Sequence, residues 1–301
     1  RAMEHLPESS ARWLAAAGEA SLASARSGDH DRVLEVIRRI NDIDPTLSGG
    51  GVELTGLVRA ALPLWAGGRS GIALELLESV ERALESLAER NPDARGPYHS
   101  ARALQGMCLG KIAKSLYEME AAAREFESAG SLRTAWEHRA GAGFMCLELG
   151  MLARGEQLSM EVIRATEGIG LHHINAVAKH NLGRRIAEAG RTTEGRILEQ
   201  SALKAFQTHD NRRMQGLTHA FLARIALQED DPLEAELHAR RGVELLQRES
   251  GSKIIALATL AQVLLSVDRP EDALTPATQA LEQLEGLELV LEGESLTRLA
   301  Y

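Results

Sequence analysis

The hydrophobic pattern is clearest in residues 28–45, GDHDRVLEVIRRINDIDP, where Val33, Ile37 and Ile40 recur at helical spacing. Gly-Asp opens this stretch and Asp-Pro closes it, so it carries both a start and a stop signal for a helix. The stretch therefore predicts a short amphipathic helix. Elsewhere we find no alternating apolar and polar run long enough to predict a β-strand.

The turn that opens this helix recurs along the chain, mostly at intervals of about 40 residues. It falls at Gly28, Gly68, Gly150, Gly190, Asp230 and Asp268. Five positions after each turn stands Val33, Ala73, Gly155, Gly195, Ala235 or Ala273, mostly a small residue. A further repeat fits the gap before Gly150, with its turn near residues 115–117 and the second helix at EMEAAAREFESAG. Such a period predicts a stack of helix pairs, each burying its apolar face against its neighbours.

The repeats resemble the tetratricopeptide repeat (TPR) family. Residues 28–45 match the second half of its usual pattern, G-D-x-x-x-A-L-x-x-x-x-x-A-L-x-x-D-P, and residues 180–183, His-Asn-Leu-Gly, resemble the N-L-G of its first helix. Gly143, Ala223 and Ala261 are small residues at the corresponding place in other repeats. The resemblance implies an all-α fold, a right-handed α-solenoid of about seven helix-turn-helix repeats.

We expect a single solenoid over residues 1–301. Its repeats are predicted at about 9–45, 52–90, 98–130, 132–168, 172–207, 211–248 and 252–286. Residues 288–301 are interpreted as an unpaired terminal helix, through which the chain could form a homodimer. Residues 91–97, NPDARGP, form the strongest predicted break and a possible hinge. Because the chain lacks an initial Met and stops within the pattern, we interpret it as a fragment of a larger protein.

Composition and charge narrow the function classes. The chain has 34 basic and 43 acidic residues and a net charge of −9, which argues against nucleic-acid binding. It has no apolar run of 18 residues, so no membrane span is expected. The N-terminal sequence is not typical of a signal peptide. We therefore expect a cytoplasmic protein that contacts neither nucleic acid nor membrane.

Residues that could perform chemistry are few. Residues 106–111, GMCLGK, are one residue too short between the glycines for a phosphate-binding loop, and isoleucine follows the lysine. His172, His173 and His180 are spaced too far apart to share a metal ion, and we interpret them as surface or groove residues. Cys108 and Cys146 are predicted to be small buried residues. We expect no catalytic site, no cofactor and no metal, so the chain is not predicted to be an enzyme.

Binding is the remaining function, because the first helices of such repeats line a concave groove. The predicted groove residues are Lys111, Phe144, His180, Asn181, Arg184, Phe221, Arg224 and Gln262, with Lys114 and Leu147 beside them. A basic, amide-bearing strip in an acidic protein predicts a protein or peptide partner with carboxylate groups. The alternative is that these are ordinary solvated side chains.

Several phrases also resemble the repeat region that follows the catalytic part of large serine/threonine kinases of the myxobacterial type. They are residues 1–3 and 10–13, 122–126, 180–183 and 291–301. The resemblance implies a bacterial signalling protein. Two hypotheses follow: a scaffold that binds a partner in its groove, or a regulatory module that binds a small effector or its own kinase domain.

Overall fold

The computed structural model describes Met3 and residues 5–8, 10–42, 52–89, 91–246 and 250–285. Within these ranges the chain forms fourteen α-helices and no β-strand, and a 3-10 turn, Val52–Leu54, precedes the third helix. The helices are α1 (Ala11–Ser27), α2 (His30–Asn41), α3 (Thr55–Ala66), α4 (Ser70–Ala88), α5 (Pro92–Cys108), α6 (Ile112–Ser128), α7 (Leu132–Glu148), α8 (Leu152–Glu167), α9 (His172–Glu188), α10 (Thr192–Thr208), α11 (Arg212–Gln228), α12 (Pro232–Leu245), α13 (Ser250–Ser266) and α14 (Pro270–Glu285).

The helices follow one another as seven pairs, so the predicted all-α, helix-turn-helix architecture is confirmed. The chain forms two compact units, Arg1–Met145 and Cys146–Tyr301. The first unit has a core around Trp13, Leu57 and Leu76, which are fully buried. The core of the second unit includes Phe206 and Leu246 between α10, α11 and α12.

Residues in the left-handed backbone conformation end most of the helices. From Gly110 to Asp230 one occurs every 20 residues, and Gly28, Gly68 and Asp268 continue the series outside that range. At Gly190 the turn has two characteristic hydrogen bonds: the amide of Arg191 donates to the carbonyl of Ile186, and that of Gly190 to the carbonyl of Ala187. These bonds satisfy carbonyls that the helix leaves open at its C-terminus. Most of the helices are therefore stopped by a local backbone turn.

The third repeat differs from the prediction. Its turn lies at Gly110, which has φ +66°, and not at residues 115–117, which lie inside α6. Ser115 is the small residue of this repeat, and its Oγ donates to the carbonyl of Ala103 at 2.7 Å. Gly110 has the expected spacing from Gly150, so the sequence contained the signal. Lys111 consequently begins a second helix, and its assignment to a first helix was wrong.

Residues 92–97 are helical, so their interpretation as a loop was also wrong. The side chain of Asn91 accepts a hydrogen bond from the amide of Asp93, and Pro92 occupies the first helical position, where a missing N–H costs nothing. Pro97 lies in the second turn of α5 and removes one further hydrogen bond. Gly96 packs against the ring of Phe126, whose nearest atoms would be 3.0 Å from an added Cβ.

Local signals at several helix ends and prolines agree with the sequence, and the prediction of two buried cysteines is confirmed. Ser10 caps α1, and Asp231 caps α12 ahead of Pro232. Pro63 and Pro276 lie inside α3 and α14. Both cysteines are buried thiols, and burial raises the pKa of Cys108 to about 12. Residues 45–51 and the terminal helix predicted for residues 288–301 lie outside the described residues.

The two helices of a pair approach each other closely at the small residue five positions after the turn. In the pair α9 and α10, a Cβ added to Gly195 would lie 2.6 Å from both the carbonyl oxygen of Gly183 and the Cβ of Ala187. Those distances are shorter than van der Waals contact, so any larger residue would push the helices apart. A small residue is therefore needed at Gly195 because the backbones of α9 and α10 come into direct contact there.

We expect Gly195→Ala to lower the free energy of unfolding by about 1–3 kcal/mol, because the new methyl group overpacks the contact between α9 and α10. Urea denaturation measures this. The matched control is Gly168→Ala, where an added Cβ would meet nothing within 4 Å and φ is negative. Equal stability of the two variants would contradict the close contact between α9 and α10 at Gly195.

Candidate functional site

Arg184 of α9 is the most enclosed cation of the predicted groove. Arg184 is 7% exposed, and its Nη2 pairs with a carboxylate oxygen of Glu148 at the end of α7. The guanidinium lies 5.2 Å from the centre of the Phe221 ring, at a distance where a cation interacts with an aromatic face. Arg184 is therefore held between an acid and an aromatic ring.

Arg224 lies one turn after Phe221 on α11 and uses the same ring, at 5.6 Å. Its Nη1 donates to Glu188 Oε1 at 2.9 Å, while Glu188 Oε2 accepts from Arg185 at 2.6 Å. Burial lowers the pKa of Arg224, although an arginine in a protein stays charged. Phe221 itself is 3% exposed, so it forms the floor beneath the cations and is not an exposed anchor.

We call Arg184, Arg185, Arg224, Glu148 and Glu188 the arginine cluster. It contains three guanidinium groups and two carboxylates, so its formal charge is positive within a protein of net charge −9. The depression beside it has room for only about 10 Å³, roughly one water molecule. The cluster therefore offers charge and donors at a surface and no preformed pocket for a side chain.

His180 lies beneath the cluster and is buried, which corrects the expectation of a surface or groove residue. Its Nδ1 is 2.8 Å from Glu199 Oε2 on α10 and 3.2 Å from Thr218 Oγ1 on α11. Burial raises the pKa of Glu199, and its Oε1 has no hydrogen-bond partner in the described structure. His180 thus links three helices and supports the cluster from inside.

The first unit contains a similar arrangement. His99 Nδ1 is 2.7 Å from Glu118 Oε2, and Arg102 Nε donates to Glu118 Oε1 at 2.8 Å. In both units the glutamate follows the histidine by 19 residues. A separation of 19 residues therefore joins facing positions on the two helices of one pair.

The other predicted groove residues differ in their exposure. Asn181 on α9, Phe144 on α7 and Gln262 on α13 are half-buried, and Lys111 is exposed at the start of α6. Beside them, Lys114 is half-buried on α6 and Leu147 is buried near the end of α7. The structure thus brings together Arg184, Phe221 and Arg224, with His180 below them.

A histidine pair was not predicted from the sequence. The Nδ1 atoms of His219 on α11 and His238 on α12 lie 2.8 Å apart, so one ring donates a hydrogen bond and the other accepts it. The two residues have the same 19-residue separation, which could have revealed them. Burial and the neighbouring His238 lower the pKa of His219 to about 4.

Neither a metal site nor a membrane-spanning helix is found in the described residues. In that part of the chain, no group of three or more His, Cys, Asp or Glu residues is arranged to hold a metal ion. Among the same residues, no helix is both long and apolar enough to cross a membrane.

No protein-family model matches the sequence, and no curated protein matches it either. Solved structures do share its fold. A Rap protein complexed with competence and sporulation factor has a TM-score of 0.70 at 9% identity, over 91% of this chain and 77% of that one. NprR in complex with its cognate peptide NprX has a TM-score of 0.59 at 11% identity, and the match covers 95% of this chain and 80% of that one. A STAND-type signal transduction ATPase with a tetratricopeptide repeat sensor, PH0952 from Pyrococcus horikoshii, has a TM-score of 0.60 at 13% identity. The match covers 95% of this chain and 44% of that one.

These similarities agree with the succession of helix pairs. The fold is an all-α solenoid of TPR-like repeats, as the sequence resemblance implied. At identities this low, the comparison concerns the fold alone. The resemblance to kinase-associated repeats stays a prediction.

We expect the stability of the protein to fall as the pH is lowered from about 6.5 to about 4. An unfolded histidine binds a proton near pH 6.5, whereas folded His219 does so only near pH 4. Between these values the unfolded state binds more protons, so acidification favours unfolding. The histidine pair is also surrounded by the charged residues Arg196, Glu234 and Arg241. Replacing His219 alone leaves these three residues unchanged, so the comparison isolates the titration of His219.

The variant His219→Gln should show a shallower loss of unfolding free energy over this pH range, measured by urea denaturation at several pH values. The control is His172→Gln, which changes an exposed histidine. If wild type and His219→Gln have parallel pH profiles, the pair does not determine this dependence.

Proposed function

We propose that the chain is a non-catalytic protein- or peptide-binding region of a larger bacterial signalling protein, and that the ligand binds at the arginine cluster. The observation that carries this proposal is the excess of guanidinium groups over carboxylates at a partly desolvated surface. An incoming carboxylate would complete the charge balance there, and hydrogen bonds between ionised groups are about twice as strong as neutral ones.

Arg224 is the member of the cluster best placed to meet a ligand. About 22% of its side chain is exposed, and within the described residues its one hydrogen bond to protein is from Nη1 to Glu188. Its Nε and Nη2 groups therefore remain as donors for a carboxylate. Its hydrogen bond to Glu188 keeps the cation oriented until a ligand arrives.

The fold comparison supports a peptide ligand. NprR carries the same fold with its cognate peptide bound, and the similarity covers 95% of the present chain. A surface of paired helices suits an extended or helical segment better than a compact small molecule when no deep pocket is present. We therefore favour an acidic peptide segment of a partner protein.

A second role is favoured by a different observation. The STAND protein uses a tetratricopeptide repeat sensor within a longer chain, and the present chain covers 44% of it. By analogy, the present chain would sense a small effector, or would regulate its own kinase domain. Binding of a purified effector, or of that kinase domain added in trans, would favour this second role.

The binding test compares Arg224→Glu with wild type in selection from a random peptide library. We expect selected peptides to be rich in Asp and Glu and to lose at least tenfold in affinity on Arg224→Glu, because a charge-assisted hydrogen bond contributes about 1.5–3 kcal/mol. Fluorescence anisotropy at two salt concentrations measures the affinities. Arg184 should be left intact, because a carboxylate at that buried position would face Glu148.

The matched control is Arg241→Glu on α12, which reverses an exposed arginine that pairs only with Glu244 in the described structure. It should leave peptide affinity unchanged. Peptides that bind wild type and both variants equally would place recognition elsewhere, and failure to select any peptide would favour the sensor role.

A further inference from the structure

A cavity of about 300 Å³ lies among α12, α13 and α14 in the second unit. This is at the lower end of the volumes found for ligand pockets. Val243, Leu257, Leu260 and Leu264 line it with aliphatic side chains. It is separate from the arginine cluster, so a ligand in this cavity is independent of the proposed function.

Two residues at facing positions in the last helix pair, Leu257 and Pro276, are part of the lining of the cavity. Leu257 and Pro276 stand at the places, relative to the turn, that His219 and His238 hold in the preceding pair. In that pair the two imidazole rings meet with their centres 5.0 Å apart. Leu257 and Pro276 carry no polar side-chain group, so they cannot form such a link and present an aliphatic surface to the cavity instead.

The mouth of the cavity carries hydrogen-bond donors. Arg240 donates through Nε and Nη2 to Glu236, at 2.8 and 2.6 Å, and Nη1 has no acceptor among the described residues. Thr275 and Gln279 add a hydroxyl and an amide on the exposed side of α14. The one acid in the lining, Asp272, accepts from Arg269 at 2.7 Å.

We propose that this cavity binds an aliphatic carboxylate, with its chain over the leucine floor and its carboxylate at Arg240. A dry cavity of roughly 150 Å³ can hold benzene, so this one has room for a chain of roughly six to eight carbons. Burial of the chain supplies the affinity, and the guanidinium selects the acid over a neutral analogue.

Two sources share this chemistry: a free medium-chain fatty acid, and the C-terminal aliphatic residue of a peptide. Octanoate represents the first source and N-acetyl-leucine the second. Titration of each into the chain, with ¹³C-labelled Leu and Val methyl groups observed by NMR, reports directly on the floor of the cavity. Saturable shifts of those methyl signals with either probe support the proposal, and the tighter probe identifies the source.

Three changes test the assignment. Val243→Phe should fill the cavity and weaken binding at least tenfold, and Arg240→Gln should weaken it about fivefold or more while leaving octan-1-ol unaffected. Thr275→Phe narrows the mouth from an exposed position, so it remains informative if Val243→Phe does not fold. Arg241→Gln, on the same helix but outside the lining, is the matched control.

The proposal is overturned if neither acid shifts the methyl signals. It is also overturned if octan-1-ol binds as tightly as octanoate, or if Arg240→Gln and Arg241→Gln have equal effects. Circular dichroism of each variant confirms that the helices remain.

Discussion

The structure depends on the close approach of the two helices in each pair. At the position five residues after the turn, the side chain must be small enough for one backbone to touch the other helix, as Gly195 does with Gly183 and Ala187. Ser115, Ala235 and Ala273 hold the same position and are almost fully buried. Because this contact fixes the distance between the helices, it also fixes which side chains further along can meet.

The consequence is a recurring slot between facing residues 19 positions apart. His99 with Glu118 and His219 with His238 fill it with polar groups that bond to each other. In the pair α9 and α10 the bonded residues, His180 and Glu199, each stand one position later relative to the turn. In the last pair the slot holds Leu257 and Pro276, which line a cavity. The side chains at these two positions thus form an internal polar link in some pairs and part of a cavity wall in the last.

The sequence predicted the repeat and its turns because these depend on local chemistry, namely glycine or aspartate in the left-handed conformation and a small residue five positions later. The sequence-based prediction missed the turn at Gly110, which lies within GMCLGK. It also missed the helix at residues 92–97, where Asn91 and Pro92 start a helix in a segment whose composition is typical of a loop. It identified Arg184, Phe221 and Arg224 but not their burial or their acids. Glu148 and Glu188 lie 36 residues before the arginines that they bind, and only the stacking of repeats brings them together.

Arginine–glutamate pairs link successive repeats in the second unit, but the pairs differ in how far they are buried. Arg191 with Glu156 and Arg269 with Glu236 are solvated pairs, and such pairs contribute little to stability because water screens their attraction. Arg184 is instead buried over Phe221 and pairs with Glu148 in a desolvated setting. Arg224 lies between these extremes. If a ligand carboxylate binds as we propose, this intermediate exposure would let it reach Arg224, while the buried pairing of Arg184 with Glu148 would leave the helices held together.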